Sequence, residues 1–164
     1  MIKYIIIHDS DSPFGNAFVI NKWHALRGFK WFDPKGAVQV NVGYQYLIYN
    51  GYSFSTESYD AEQDGLVVPC RPEGSEGAHC YSNDNNPKND HNKDSIGICL
   101  IGPGPVAPFS NSQISAAIKL VGRLKVKYGI SIDNVRGHSE EDPANKLDPR
   151  LDMTAFRKCL QGGV

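Results

Sequence analysis

Two short, unbroken apolar runs constrain this chain more than any other feature. Tyr4-Ile5-Ile6-Ile7 is followed by the turn-rich Asp9-Ser10-Asp11-Ser12-Pro13, and Ile96-Gly97-Ile98-Cys99-Leu100-Ile101 by Gly102-Pro103-Gly104-Pro105. Such runs, bounded by breakers, read as buried strands, here Lys3–His8 and Ser95–Ile101. A third segment, Val38–Tyr49, alternates Val38, Val40, Val42, Tyr44, Tyr46 and Ile48 with Gln39, Asn41, Gly43, Gln45 and Leu47, and reads as a long strand. Asn50-Gly51 after it is a hairpin signal that predicts an antiparallel return over Tyr52–Ser55.

Helical patterns lie between these strands. Asn16–Leu26 places Phe18, Val19, Trp23 and Leu26 near helical spacing, with Gly28 as a stop. Ser110-Asn111-Ser112 supplies capping side chains to a helix whose apolar stripe is Ile114, Ala117, Ile118, Val121 and Leu124, and Gly129 ends it. A short strand is expected near Asn134–Arg136 and a last helix over Met153–Leu160. Asp60–Asp94 is rich in Gly, Asn, Asp, Pro and Ser and reads as a long loop poor in regular structure. With no repeat and no linker, the 164 residues (1–164) are expected to form one α/β domain, a central mixed β-sheet flanked by helices.

Composition narrows the function classes. A formal net charge of −1 with both signs interspersed gives no reason to expect nucleic acid as a partner. The apolar run before His8 is too short for a signal peptide core or a membrane span. Synthesis in the cytoplasm without a signal peptide and without membrane insertion is expected, as a monomer. Of the four cysteines, Cys70, Cys80, Cys99 and Cys159, none forms a CxxC pair. Cys99 reads as buried and inert, while Cys70 and Cys80 share one loop-like region and could pair.

Chemistry concentrates at two strand ends. His8 follows Tyr4–Ile7 and His138 follows Val135-Arg136-Gly137, with Lys146 and Asp148 in the loop beyond. Two imidazoles and a carboxylate suit an open zinc site, with water as the fourth ligand. Ligands so far apart in sequence make a weak pattern taken bare; His8 could equally cap a strand and His138 sit in a surface turn. Tyr44 could be a core aromatic on its strand, and Lys146 a solvated loop lysine.

Four ordered segments and a closing motif resemble the type 2 N-acetylmuramoyl-L-alanine amidases, a family that includes bacteriophage lysozyme-amidases and the peptidoglycan recognition proteins. The segments are Tyr4–Ser10, Trp23-His24-Ala25-Leu26-Arg27-Gly28-Phe29, Val42-Gly43-Tyr44-Gln45-Tyr46-Leu47-Ile48 and Ser95–Gly102. Gly137-His138 followed by Lys146-Leu147-Asp148-Pro149 is the most specific, and resembles the family's GH…KxDP signature. The Asp60–Asp94 region is longer than in compact members. The resemblance implies Zn²⁺ held by His8, His138 and Asp148, and hydrolysis of the amide between N-acetylmuramic acid and L-alanine in peptidoglycan. It implies that Lys146 stabilises the oxyanion, that Tyr44 contacts the attacking water, and that His79 contacts substrate in the groove.

Three alternatives stay open at this stage. A non-catalytic peptidoglycan-binding module would share the fold, and a cytoplasmic enzyme recycling soluble muropeptides would share the chemistry. A zinc hydrolase for another small amide would share only the metal site. A phage endolysin, made in the cytoplasm and released onto the host cell wall, is the expectation. Glu140 and Glu141, close after His138, are the substitutes for Tyr44, and His24 and His91 read as surface or loop residues.

Overall fold

A computed structural model describes residues 1–36, 39–81, 90–105 and 107–162. Its centre is a five-stranded sheet. The two apolar runs become β1 (Tyr4–Asp9) and β6 (Ser95–Leu100), which pair in parallel with His8 opposite Cys99. On the far side of β1 lies β7 (Val135–Gly137), also parallel, and on the far side of β6 lies β4 (Tyr46–Asn50). An antiparallel edge strand, β5 (Asp64–Pro69), completes the order β5-β4-β6-β1-β7. A separate two-stranded ribbon joins β2 (Trp31–Phe32) to β3 (Gln39–Val40). Together with four helices this is the single α/β layer structure expected from the sequence.

Strand alternation splits the sheet into two unlike faces. Ile5, Ile7, Tyr46, Ile48, Ile96, Ile98 and Leu100 form one face, covered by α2 (Asn111–Tyr128) and α4 (Met153–Gln161) through Ala117, Leu120, Val121, Leu124, Met153 and Phe156. Burying each such aliphatic side chain contributes roughly 1.5–3 kcal/mol before entropy is counted. The opposite face carries Leu47, Cys99 and Ile101, packed with Ile20 of α1 (Ala17–Leu26).

Helix ends follow their caps. Ser110 and Gln113 make a capping box at α2, and Gly129 ends it at φ 65°. Gln113 is also buried, and its amide donates to the carbonyls of Ile48 and Ile101, tying the helix start to the sheet. Asn16 caps α1 through the Val19 amide. The inner face of α1 differs from the one expected, because Phe18 and Leu26 are 59% and 88% exposed. Val19 is buried as expected, and Ile20 and His24 are buried with it.

Two further expectations are corrected. Val38–Tyr49 is not one strand: β3 and β4 are separated by 41–45, and Val38 lies outside the described residues. The backbone there is hydrogen-bonded elsewhere. Asn41 N–H donates to Asn21 and Gly43 N–H to His24 Nδ1, while the Gly43 carbonyl accepts from Ala78. Gly43 permits this approach, since a Cβ there would lie 2.2 Å from the Ala78 carbonyl oxygen. Nor does Tyr52–Ser55 return along β4. The Tyr52 carbonyl accepts from Gly15, and β5, inside the supposed loop, is the antiparallel partner. Cys70 and Cys80 are free thiols, each pushed up to about 12 by burial. No described helix is long and apolar enough to cross a membrane.

Candidate metal centre

Strand register builds the centre. Ile7 of β1 pairs with Gly137 of β7, so the next residues, His8 and His138, leave adjacent strands side by side with ring centroids 4.4 Å apart. His138 opens the short helix α3 (His138–Glu141). The segment after α3 folds back: Ser139 N–H donates to the Asp148 carbonyl, and Lys146 N–H to Asp142. Gly137 makes room, because a Cβ there would lie 2.8 Å from the Pro149 ring. The Asp148 carboxylate thereby sits 2.9 Å from His8 Nδ1 and 3.1 Å from His138 Nδ1. One donor atom from each of the three residues lies within 4.8 Å of the others, and this is the group of that kind among the described residues.

Electrostatics suit a divalent cation. Burial pushes the His8 imidazole down to about 4, leaving it neutral and able to coordinate near pH 7. Burial alone would raise Asp148, but hydrogen bonds from His138 and His8 outweigh it and hold the carboxyl below its usual range. Two imidazole nitrogens and a carboxylate oxygen converging at the floor of a cleft are a donor set that zinc accepts, with a coordination position left over.

Around this centre the cleft has a volume of about 670 Å³ and is open to solvent. Lys146 is half-buried in its wall, and Leu147 beside it is exposed. The Tyr44 ring lies 5.0 Å from the His8 ring and 5.3 Å from that of His24, with its hydroxyl beside the Cys99 thiol. Burial raises that hydroxyl well above its ordinary pKa, so it keeps its proton. His79 reaches the cleft but is only 8% exposed, and both its ring nitrogens already have partners, His8 Nε2 at 3.0 Å and Ser95 Oγ at 3.4 Å. Glu140 and Glu141 do not line the cleft. Glu140 accepts from Gly137 N–H and pairs with Arg157; Glu141 pairs with Arg136 and His91.

Sequence reasoning missed three supports. His24 is buried and accepts from Gly43, fixing the loop before Tyr44. His91 is buried between Glu141 and Asp94. Asp9, next to His8, takes Arg150 through the backbone N–H and a 2.9 Å ion pair, joining the β1 end to the Asp148 segment. Only the last had a visible signal: each partner stands one or two residues from a candidate ligand.

The family described as N-acetylmuramoyl-L-alanine amidase matches residues 1–151. No curated protein sequence matches the chain. The N-acetylmuramoyl-L-alanine amidase LysC from Clostridium intestinale superposes with TM-score 0.70 at 19% identity, covering 98% of this chain and 85% of that one. AmiD from E. coli, solved with the substrate anhydro-N-acetylmuramic acid-L-Ala-D-gamma-Glu-L-Lys, gives 0.61 at 21% identity over 96% of this chain and 57% of its own. The peptidoglycan recognition protein PGRP-SA of Apis mellifera gives 0.56 at 27% identity over 84% and 71%.

Proposed function

The chain belongs to the N-acetylmuramoyl-L-alanine amidase family, and from that premise we propose that it hydrolyses the muramoyl–L-alanine amide of peptidoglycan with a zinc ion held by His8, His138 and Asp148. The convergence of those three donors at the floor of an open cleft supports the reading above all else. A zinc ion bound there would lower the pKa of a coordinated water towards about 7 and polarise the scissile carbonyl.

The chain's own groups divide the remaining work. Lys146 places an ammonium on the cleft wall next to the Asp148 segment, where it stabilises negative charge developing on the carbonyl oxygen. Tyr44 keeps its hydroxyl protonated and presents it on the His8 side, where it orients the attacking water. The cleft is open to solvent, and the role we propose is that of an endolysin acting on the intact polymer of the cell wall. The non-catalytic reading is disfavoured by a complete donor set with neutral imidazole at His8.

The decisive experiment is digestion of purified sacculi and of soluble muropeptides, with mass spectrometry of the products. Release of free peptide stems from sacculi supports the proposal. Turnover of soluble fragments alone would make the chain a recycling enzyme, and full activity in protein stripped of metal would overturn the zinc assignment.

A further inference from the structure

Behind the metal centre runs a chain of hydrogen bonds that leads from the cleft into the protein. His8 presents Nδ1 to Asp148 and Nε2 to His79 Nδ1. His79 Nε2 meets Ser95 Oγ, and Ser95 Oγ lies 2.5 Å from the backbone carbonyl of His91. Ser95 is fully buried. The sequence builds a slot for the middle ring. A Cβ at Gly97 would lie 2.6 Å from His79 Cδ2, and one at Gly77 would lie 2.4 Å from it. The backbone around the ring is fixed as well, with the amides of His79 and Cys80 both donating to Asn92 Oδ1 at 2.8 and 3.0 Å.

Counting protons gives this row a direction. Both of its ends, the Asp148 carboxylate and the His91 carbonyl, can only accept. Between them lie the links Asp148–His8, His8–His79, His79–Ser95 and Ser95–His91. With neutral rings the row holds one N–H on His8, one on His79 and one O–H on Ser95. One link must therefore lack a proton. A cation held by His8 and Asp148 would remove that deficit by standing in for the proton of the first link. Ser95 would then donate to His91, His79 Nε2–H to Ser95, and His8 Nε2–H to His79 Nδ1, leaving Nδ1 of His8 free to serve as a ligand.

We propose that His79 is a positioning residue that accepts the Nε2 proton of His8, fixing the tautomer and ring angle with which His8 meets the metal. The inference rests on the zinc reading above. It assigns His79 a task inside the protein, alongside the substrate contact expected from sequence. Partners of this kind behind a ligating histidine typically set metal affinity by 10–100-fold.

The test compares His79→Phe, which fills the slot with a ring but offers no acceptor, with His79→Asn, whose carboxamide oxygen can occupy the place of Nδ1. Zinc affinity is measured by competition with a chromophoric chelator. The His8 tautomer is read from long-range ¹H–¹⁵N correlations of the zinc-loaded protein, and thermal melts of the metal-free forms control for folding. We expect His79→Phe to weaken zinc binding roughly 10–100-fold and to lose the hydrogen-bonded His8 Nε2–H signal, with His79→Asn recovering most of both. Equal zinc affinity in all three proteins, or a wild-type His8 protonated on Nδ1, would overturn the inference and leave the metal centre standing. A wild-type chain that takes up no zinc would overturn the zinc reading and this inference with it.

Discussion

The two faces of the central sheet differ in kind although the same strands supply both. Between the sheet and α2 and α4 lies a continuous aliphatic layer that includes Ile5, Ile7, Ile96, Ile98 and Leu124. Across the sheet, one residue out of step, stand His8, Gly97 and Cys99, with His24, Tyr44 and His79 packed near them. The first face is made of groups that any well-packed core could exchange at similar volume. The second adds to Leu47, Cys99 and Ile101 a set of polar groups committed to named partners, His8 and His79 to each other and His24 to Gly43. Division of labour by strand parity lets the enzyme place a buried polar centre against a sheet whose stability comes from the other side.

The comparison can be broken at several points. The largest effect is expected at Asp148→Ala, which should empty the centre of zinc and abolish peptide release while the melting temperature of the metal-free protein stays put. Asp148→Cys should retain part of the metal, since thiolate is also a zinc ligand. Normal metal content and activity in Asp148→Ala would remove Asp148 from the centre. Leu124→Ala on the other face should do the reverse. Leu124 is wholly buried, so truncation should cost about 2–5 kcal/mol in denaturant unfolding, with zinc affinity of the folded protein unchanged.

Lys146→Ala should keep zinc and stability but lower kcat by about 10²–10³, because its contact forms only as charge develops. A rise in KM alone would make it a binding residue. The smallest effect is pH-dependent. Burial pushes His24 from 6.5 down to about 4 in the folded protein, so between those values the unfolded chain binds more protons. Stability of the metal-free protein should therefore decline as pH falls from about 6.5 through 4. In His24→Asn, whose oxygen can still accept from Gly43, the slope in unfolding experiments at pH 7, 5.5 and 4 should flatten. An unchanged slope would show that His24 does not carry the acid sensitivity.

Local signals made much of this legible. The runs at β1 and β6 and the caps of α2 each announce themselves within a few residues, and the elements form close to their expected bounds. The donor set was legible only through resemblance, because His8 and Asp148 stand 140 positions apart. What escaped was decided at long range. Val42 and Tyr44 continue the alternation of a strand, yet Gly43 bonds to His24 and Ala78 and the ladder stops. His24 and His91 carry nothing locally that tells a buried imidazole from an exposed one. Their burial depends on Gly43 in one case and on Glu141 in the other.

The placement of β1 has a consequence for how the chain is made. It precedes both its neighbours, β6 and β7, by a long stretch of chain. Its hydrogen bonds stay unpaired until those strands have been made, and Ile5, Ile6 and Ile7 wait with them. Pairing over such separations is slow and leaves an apolar segment open to aggregation or to a chaperone. Until residues 138–150 have emerged there is no His138, no Asp148 and no Arg150 to clamp Asp9, so the candidate centre cannot assemble while those residues are still to be translated.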